Sequence, residues 1–222
     1  MKHFETELPE GYVTAKVVDA KSKKIAILFN LVAVLIMVAV FVILWFIVFG
    51  TQSVVNVVKA ALVAEWWQSL LRLAVFIVAY VAYIVLHELT HGIAYKALTK
   101  QKLTFGLTLS VAYCGVPNIY VYRTCALVAL LAPFVVFNVI FVLPIIFIAD
   151  VAFKLIFMAL FAMHFGGCVG DLYDTALYTF VFRDKSILMR DTGPKQTFYV
   201  LETSPLGRKI AQHDKTTPDD KY

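Results

Sequence analysis

Twenty-five consecutive residues, Ile25 to Phe49, carry no charge. A helix rises about 1.5 Å per residue, so this run is long enough to cross a hydrocarbon core of about 30 Å. Thr124 to Ala149 is a second uncharged run of similar length. Two further stretches are less pure, Trp67 to Leu98 and Leu155 to Phe182. Hydrocarbon offers no partner to backbone N–H and C=O groups, so runs of this kind must close their hydrogen bonds internally as helices. With 61% hydrophobic and only 16% charged residues among 222, the chain has too little charge to cover a soluble domain of its size. The expected fold is an all-α membrane protein with four transmembrane helices, about 25–49, 67–98, 124–149 and 155–182.

The first run is too long for the core of a cleaved signal peptide, about 7–15 residues, and reads as a retained anchor. Basic residues alternate by side. Lys2, Lys16, Lys21, Lys23 and Lys24 precede the first span, and Lys96, Lys100, Lys102 and Arg123 lie between the second and third. Arg183, Lys185 and Arg190 follow the fourth, while the other two links are poor in Lys and Arg. The positive-inside rule then puts both termini in the cytoplasm of a multi-pass cell-membrane protein. The net charge of +5 is used up by this asymmetry and calls for no nucleic-acid partner. Cys114, Cys125 and Cys168 have no metal-site spacing and read as small apolar residues.

Residues 1–24 are polar and form a cytoplasmic lead, 25–182 the membrane domain, and 183–222 a charged cytoplasmic tail whose last ten residues have a disordered composition. The link between the second and third spans is different. Leu103, Phe105, Leu107, Leu109 and Val111 alternate with Thr104, Gly106, Thr108, Ser110 and Ala112, a period of two that predicts a strand. Gly115 and Pro117 supply a turn, and Ile119 to Arg123 can return as the partner. A β-hairpin-like insertion over 103–122 is expected.

Within the second span stands His87-Glu88-Leu89-Thr90-His91, an H-E-x-x-H sequence. Residues four apart share a helix face, so both imidazoles can reach one metal ion, and Glu88 can take a proton from water activated by that ion. Three ionisable residues in five positions of a span are costly unless they serve a site. A catalytic zinc ion normally has three protein ligands. His3 and His213 lie in the tails, which leaves His164, Asp171 and Asp174 in the fourth span.

Depth separates them. His87 and His91 lie 13 and nine residues before Lys100; Asp171 and Asp174 lie 12 and nine before Arg183, and His164 lies 19 before it. On a straight helix His164 sits about 28 Å from that edge and the motif about 14–20 Å. Asp171 is the favoured third ligand, with Asp174 a partner that orients a histidine. His164 lines a path above the metal, or comes closer if the glycine-rich stretch breaks the helix, or only bonds a neighbouring helix. Asn118, Arg123 and Asn138 are the candidate donors to an oxyanion or to substrate.

These features together resemble the intramembrane zinc metalloproteases of the site-2 protease type. More narrowly, over about residues 25–182, the chain resembles a bacterial family of small four-span proteins described as zincin peptidases. The resemblance is specific at His87–Gly92 and looser at Gly166–Asp171. In the site-2 type the third ligand is an aspartate followed by glycine; here Leu172 follows Asp171, and Asn138 and Pro133 lie in a different span. The resemblance implies a metalloendopeptidase that uses one zinc ion and Glu88 as general base on membrane-protein or peptide substrates. The alternative is a non-enzymatic metal-binding membrane protein, a transporter or scaffold. Glu88 favours the enzyme, because a pure binding site does not need an acid there.

Overall fold

The uncharged runs fold as helices. The computed structural model describes residues 2–62, 65–107 and 112–216, with side chains through Gln212. In chain order the helices are α1 (Lys23–Phe49), α2 (Val54–Leu62), α3 (Trp66–Thr99), α4 (Arg123–Phe147), α5 (Val151–Gly167), α6 (Val169–Ala176) and α7 (Pro205–Thr216). A π-helical turn, Leu177–Val181, extends α6. Among the described residues three helices, α1, α3 and α4, are long and apolar enough to cross a membrane, and the number rises to four if α5 and α6 with its π-helical turn are counted as one span. That pair is bent by 43° around Cys168, so the straight helix assumed in the depth count is broken there. The short helix α2 occupies part of what reads in the sequence as a link.

Local chemistry sets the ends. Asp150 caps α5 by accepting a hydrogen bond from the Phe153 amide at 2.9 Å. Helix α3 stops at Lys100, whose φ of 58° puts it in the left-handed region.

The chain divides into two compact units. One comprises Ile27–His87 and Leu131–Leu172. Its core is aromatic, with Trp45, Tyr83, Phe137, Phe141, Met158 and Phe161 packed together. Gly166 of α5 lets that helix approach α1 closely: a Cβ there would lie 2.5 Å from Met37 Cγ and 3.1 Å from the Ala33 carbonyl oxygen. Arg72 donates to the Ala61 carbonyl at 2.7 Å and lies 3.7 Å from the Asp150 carboxylate. The outward residues of α1, among them Ile27, Leu31, Leu35 and Phe46, are exposed and apolar, as a hydrocarbon-facing surface requires.

The other unit comprises Met1–Ala26, Glu88–Leu130 and Tyr173–Tyr222. It holds a five-stranded antiparallel sheet of β1 (Phe4–Glu5), β2 (Tyr12–Asp19), β5 (Tyr120–Tyr122), β6 (Leu188–Asp191) and β7 (Lys195–Leu201). The strand order is β1-β5-β6-β7-β2. Val18, Val121, Leu188, Met189, Phe198 and Val200 are its buried apolar residues. A separate two-stranded ladder joins β3 (Thr104–Leu107) to β4 (Ala112–Gly115), with Phe105 opposite Cys114.

The chain is therefore mostly helical but not all-α, because the expected lead and tail supply most of a sheet. Its strands are two to eight residues long, and β1 and β2 of the lead pair with β5 and β7, each more than a hundred residues away, so no local pattern announces those pairings. The insertion also differs in register from the expectation. The pairing partner of β3 is Ala112–Gly115, and the Tyr120–Tyr122 segment, expected to close that hairpin, instead joins β1 and β6. Residues 108–111 of the expected strand, the side chain of His213, and the last six residues of the tail lie outside the described residues; the tail before them is helical to Thr216.

Candidate metal centre

Helix α3 presents the motif. One ligand atom each from His87, Glu88 and His91 falls within 4.8 Å of the others, because the three occupy a single helical turn. The two histidines are each only 7% exposed. A buried imidazole must have its nitrogens matched, and what matches them determines which nitrogen remains for a metal.

His91 is held from α4. Its Nδ1 lies 2.8 Å from the carbonyl oxygen of Ala129. A carbonyl only accepts, so Nδ1 carries the hydrogen and Nε2 keeps its lone pair; the tautomer is assigned from the partner. Ala129 can serve this role because the residue four positions on is Pro133, inside the same helix. Proline has no N–H, so the Ala129 carbonyl lacks its helical donor and is left for the imidazole.

His87 sits in the other unit. Its Nε2 is 3.3 Å from Oδ2 of Asp171. Two ligand atoms about 2.0–2.1 Å from a tetrahedral zinc ion are about 3.3 Å apart, so this pair has the separation of two ligands on one ion. On its other side His87 Nδ1 is 3.2 Å from the Tyr83 hydroxyl, which lies 3.1 Å from Nδ1 of His164. His164 is fully buried, and the break after α5 leaves it one hydroxyl away from His87. Cys168 Sγ is 3.5 Å from the same His164 nitrogen, and His87, His164 and Cys168 form a second group whose ligand atoms fall within 4.8 Å.

Of the other expected residues, Asp174 is buried on α6, one turn beyond Asp171. Arg123 donates through Nε and Nη2 to the Tyr178 carbonyl at 3.4 and 3.2 Å. Asn138 donates to the Phe134 carbonyl at 2.7 Å, within its own helix. Asn118 is exposed in the loop between β4 and β5. Cys114, in β4, is a free thiol whose pKa burial pushes up to about 12, so it is an inert apolar residue at neutral pH.

Three residues in this region escape a reading for metal-ligand motifs. Tyr83 precedes His87 by four positions and Cys168 follows His164 by four, so both share a face with a histidine, and that spacing was the available signal. Asp191 left no such signal. It is buried at the end of β6, accepts from the Tyr95 hydroxyl at 2.8 Å and from the Gly193 amide at 2.8 Å, and so fastens the last turns of α3 to the sheet. Gly92, directly after the motif, gives the Phe105 ring of β3 its place against α3: a Cβ there would lie 2.7 Å from the ring's far carbon, which would have to shift.

Apolar helices of membrane-spanning length and a His87, Glu88 and His91 group on one helical turn define the class: a mostly helical protein with a candidate metal centre. The family model described as "Putative zincin peptidase" matches residues 80–185, which include Tyr83, the H-E-x-x-H sequence and Asp171, and over those residues the chain is similar to that family. No curated protein matches the chain, and no solved structure does.

Proposed function

We propose that the chain is an intramembrane metallopeptidase that cleaves peptide bonds of membrane-associated substrates. It would hold one zinc ion through His87, His91 and Asp171, with both termini cytoplasmic as the distribution of Lys and Arg indicates. The family points to a metallopeptidase. The observation that carries the finer reading is the 3.3 Å approach of Asp171 Oδ2 to His87 Nε2, in a helix that also carries Glu88 and His91 on the same turn.

The donor set, two neutral imidazoles and a carboxylate, is that of a catalytic zinc site. When bound, zinc supplies a Lewis acid that polarises a carbonyl and acidifies a water. The remaining work belongs to the chain. The Glu88 carboxylate accepts a proton from the attacking water and returns it to the leaving amine. The Ala129 carbonyl holds the His91 ring by Nδ1. The apolar walls of the spans exclude bulk water, which strengthens each of these electrostatic contacts. Strand β3 has β4 on one side and no second strand partner among the described residues, so its other edge can take an extended substrate segment as an added strand.

The test compares wild type with Glu88→Gln in detergent for bound zinc, and in cells for fragments of membrane proteins. Zinc in both and fragments in wild type alone supports the peptidase. Zinc in both with identical fragment patterns favours a non-enzymatic metal-binding protein, and absence of zinc from wild type rejects the metal centre.

A further inference from the structure

We propose that Tyr83 and His164 are positioning residues for His87, joined in a buried hydrogen-bond chain that fixes Nε2 as the nitrogen turned toward Asp171 and the metal. The inference rests on the metallopeptidase reading and adds two residues that a motif does not contain.

The chain is read from its inner end. His164 is fully buried, with the rings of Phe134, Phe137, Phe141, Phe161 and Phe165 all 5.8 to 6.4 Å from its own. An imidazole in such a cage is costly unless its nitrogens are matched. Its Nε2 faces the carbonyl oxygen of Phe134 at 3.4 Å, which can only accept. Its Nδ1 faces two groups that can donate, the Tyr83 hydroxyl at 3.1 Å and the Cys168 thiol at 3.5 Å. Both sides agree: the hydrogen is on Nε2, and Nδ1 accepts. The Tyr83 O–H is then committed to His164, so its oxygen accepts from His87 Nδ1–H at 3.2 Å. His87 Nε2 is left with its lone pair, 3.3 Å from a carboxylate oxygen that also has only lone pairs to offer when ionised. Only a proton or a cation between them reconciles that pair.

The fold makes room for this link. A Cβ on Gly167 would lie 3.1 Å from the Tyr83 hydroxyl oxygen, so the glycine gives the hydroxyl its place between the two imidazoles. The same hydroxyl argues against His87, His164 and Cys168 acting as a second metal site, since it stands between the two Nδ1 atoms. His87 and His91 thus each offer Nε2. His91 is fixed directly by a backbone carbonyl, and His87 through two side chains.

The experiment measures zinc affinity by chelator competition in purified detergent-solubilised protein, with the ¹⁵N signals of labelled histidines read in the zinc-loaded state. Variants are Tyr83→Phe, His164→Leu, His164→Gln, His87→Gln and Cys168→Ser. Loss of a residue that orients a ligand typically lowers metal affinity about 10–100-fold, which is expected for Tyr83→Phe and His164→Leu. Tyr83→Phe keeps the ring and its packing, so its thermal midpoint should stay close to wild type. His164→Gln, whose amide can accept from Tyr83 and donate to Phe134, should keep most of the affinity. The His164 signal in wild type should show the hydrogen on Nε2. Wild-type affinity in Tyr83→Phe overturns the proposal. So does His164→Gln losing zinc as fully as His87→Gln, which makes His164 a ligand, or a second zinc equivalent that Cys168→Ser removes. If wild type itself binds no zinc, the metal centre falls and the chain with it; wild-type binding with an unaffected Tyr83→Phe sinks the chain alone.

Discussion

At the scale of single residues, a proline makes its mark one turn away from itself. Pro133 withholds an amide hydrogen from the Ala129 carbonyl, and that carbonyl accepts from His91 at 2.8 Å instead. Restoring the donor should therefore weaken the metal centre while improving the helix. In Pro133→Ala the amide of residue 133 competes for Ala129, the His91 ring loses its fixed partner, and zinc affinity falls about tenfold, as for other groups that orient ligands. The thermal midpoint should hold or rise. Equal zinc affinity in the two proteins, measured by chelator competition, would show that the carbonyl is not selected by the proline. The motif itself was legible in the sequence because His87, Glu88 and His91 are related by helical spacing alone. The Ala129 carbonyl and the Tyr83–His164 link were not, because each depends on where another helix places its backbone or ring. The depth count matched Asp171 to the motif, and the structure puts its carboxylate beside His87. It also set His164 apart, on the assumption of a straight span that the bend at Cys168 breaks.

Among the elements, the long helices were legible and the strands only in part. An uncharged run has a single way to satisfy its backbone in hydrocarbon, so α1 and α4 follow from composition. Strand β3 was readable from its alternation, yet its pairing was not, since Gly115 and Pro117 suggested a turn where β4 ends and a connection to another sheet begins. The consequence for function lies at the β3 edge. Leu107 is 76% exposed, so its replacement removes little core, but a proline there deletes an amide hydrogen from a short strand. Leu107→Pro should lower cleavage about tenfold, the loss of one or two main-chain hydrogen bonds to an added strand, with bound zinc unchanged. Cleavage at the wild-type rate would remove β3 from substrate binding, and loss of zinc in parallel would make its role structural.

For the molecule as a whole, the ends of the chain matter more than their composition suggests. The polar lead gives β1 and β2, the tail gives β6 and β7, and β2 pairs with β7 along seven residue pairs interrupted by one bulge. The lead does not look like part of a fold by itself, since β1 finds its partner β5 more than a hundred residues away and β2 its partner β7 about 180 residues away; β6 and β7 of the tail also pair with each other. Asp191 links this sheet to the motif helix through Tyr95, and burial raises its pKa from 3.8 to about 6, against the pull of hydrogen bonds from Tyr95 and Gly193. The sign follows from linkage. A carboxyl with a higher pKa folded than unfolded binds more protons in the folded state. Its contribution is complete below pH 3.8 and is lost as the pH rises through about 6. The shift corresponds to at most roughly 3 kcal/mol, so thermal stability in detergent should decline between about pH 4 and 6. Asp191→Asn cannot ionise and should flatten that decline, although it gives up one of the two acceptor oxygens. A wild-type profile that is flat over this range, or an Asn variant that keeps the wild-type slope, would place the titrating group elsewhere. A flattened slope would show that the sheet built from the two ends governs how firmly the last turns of the motif helix are held.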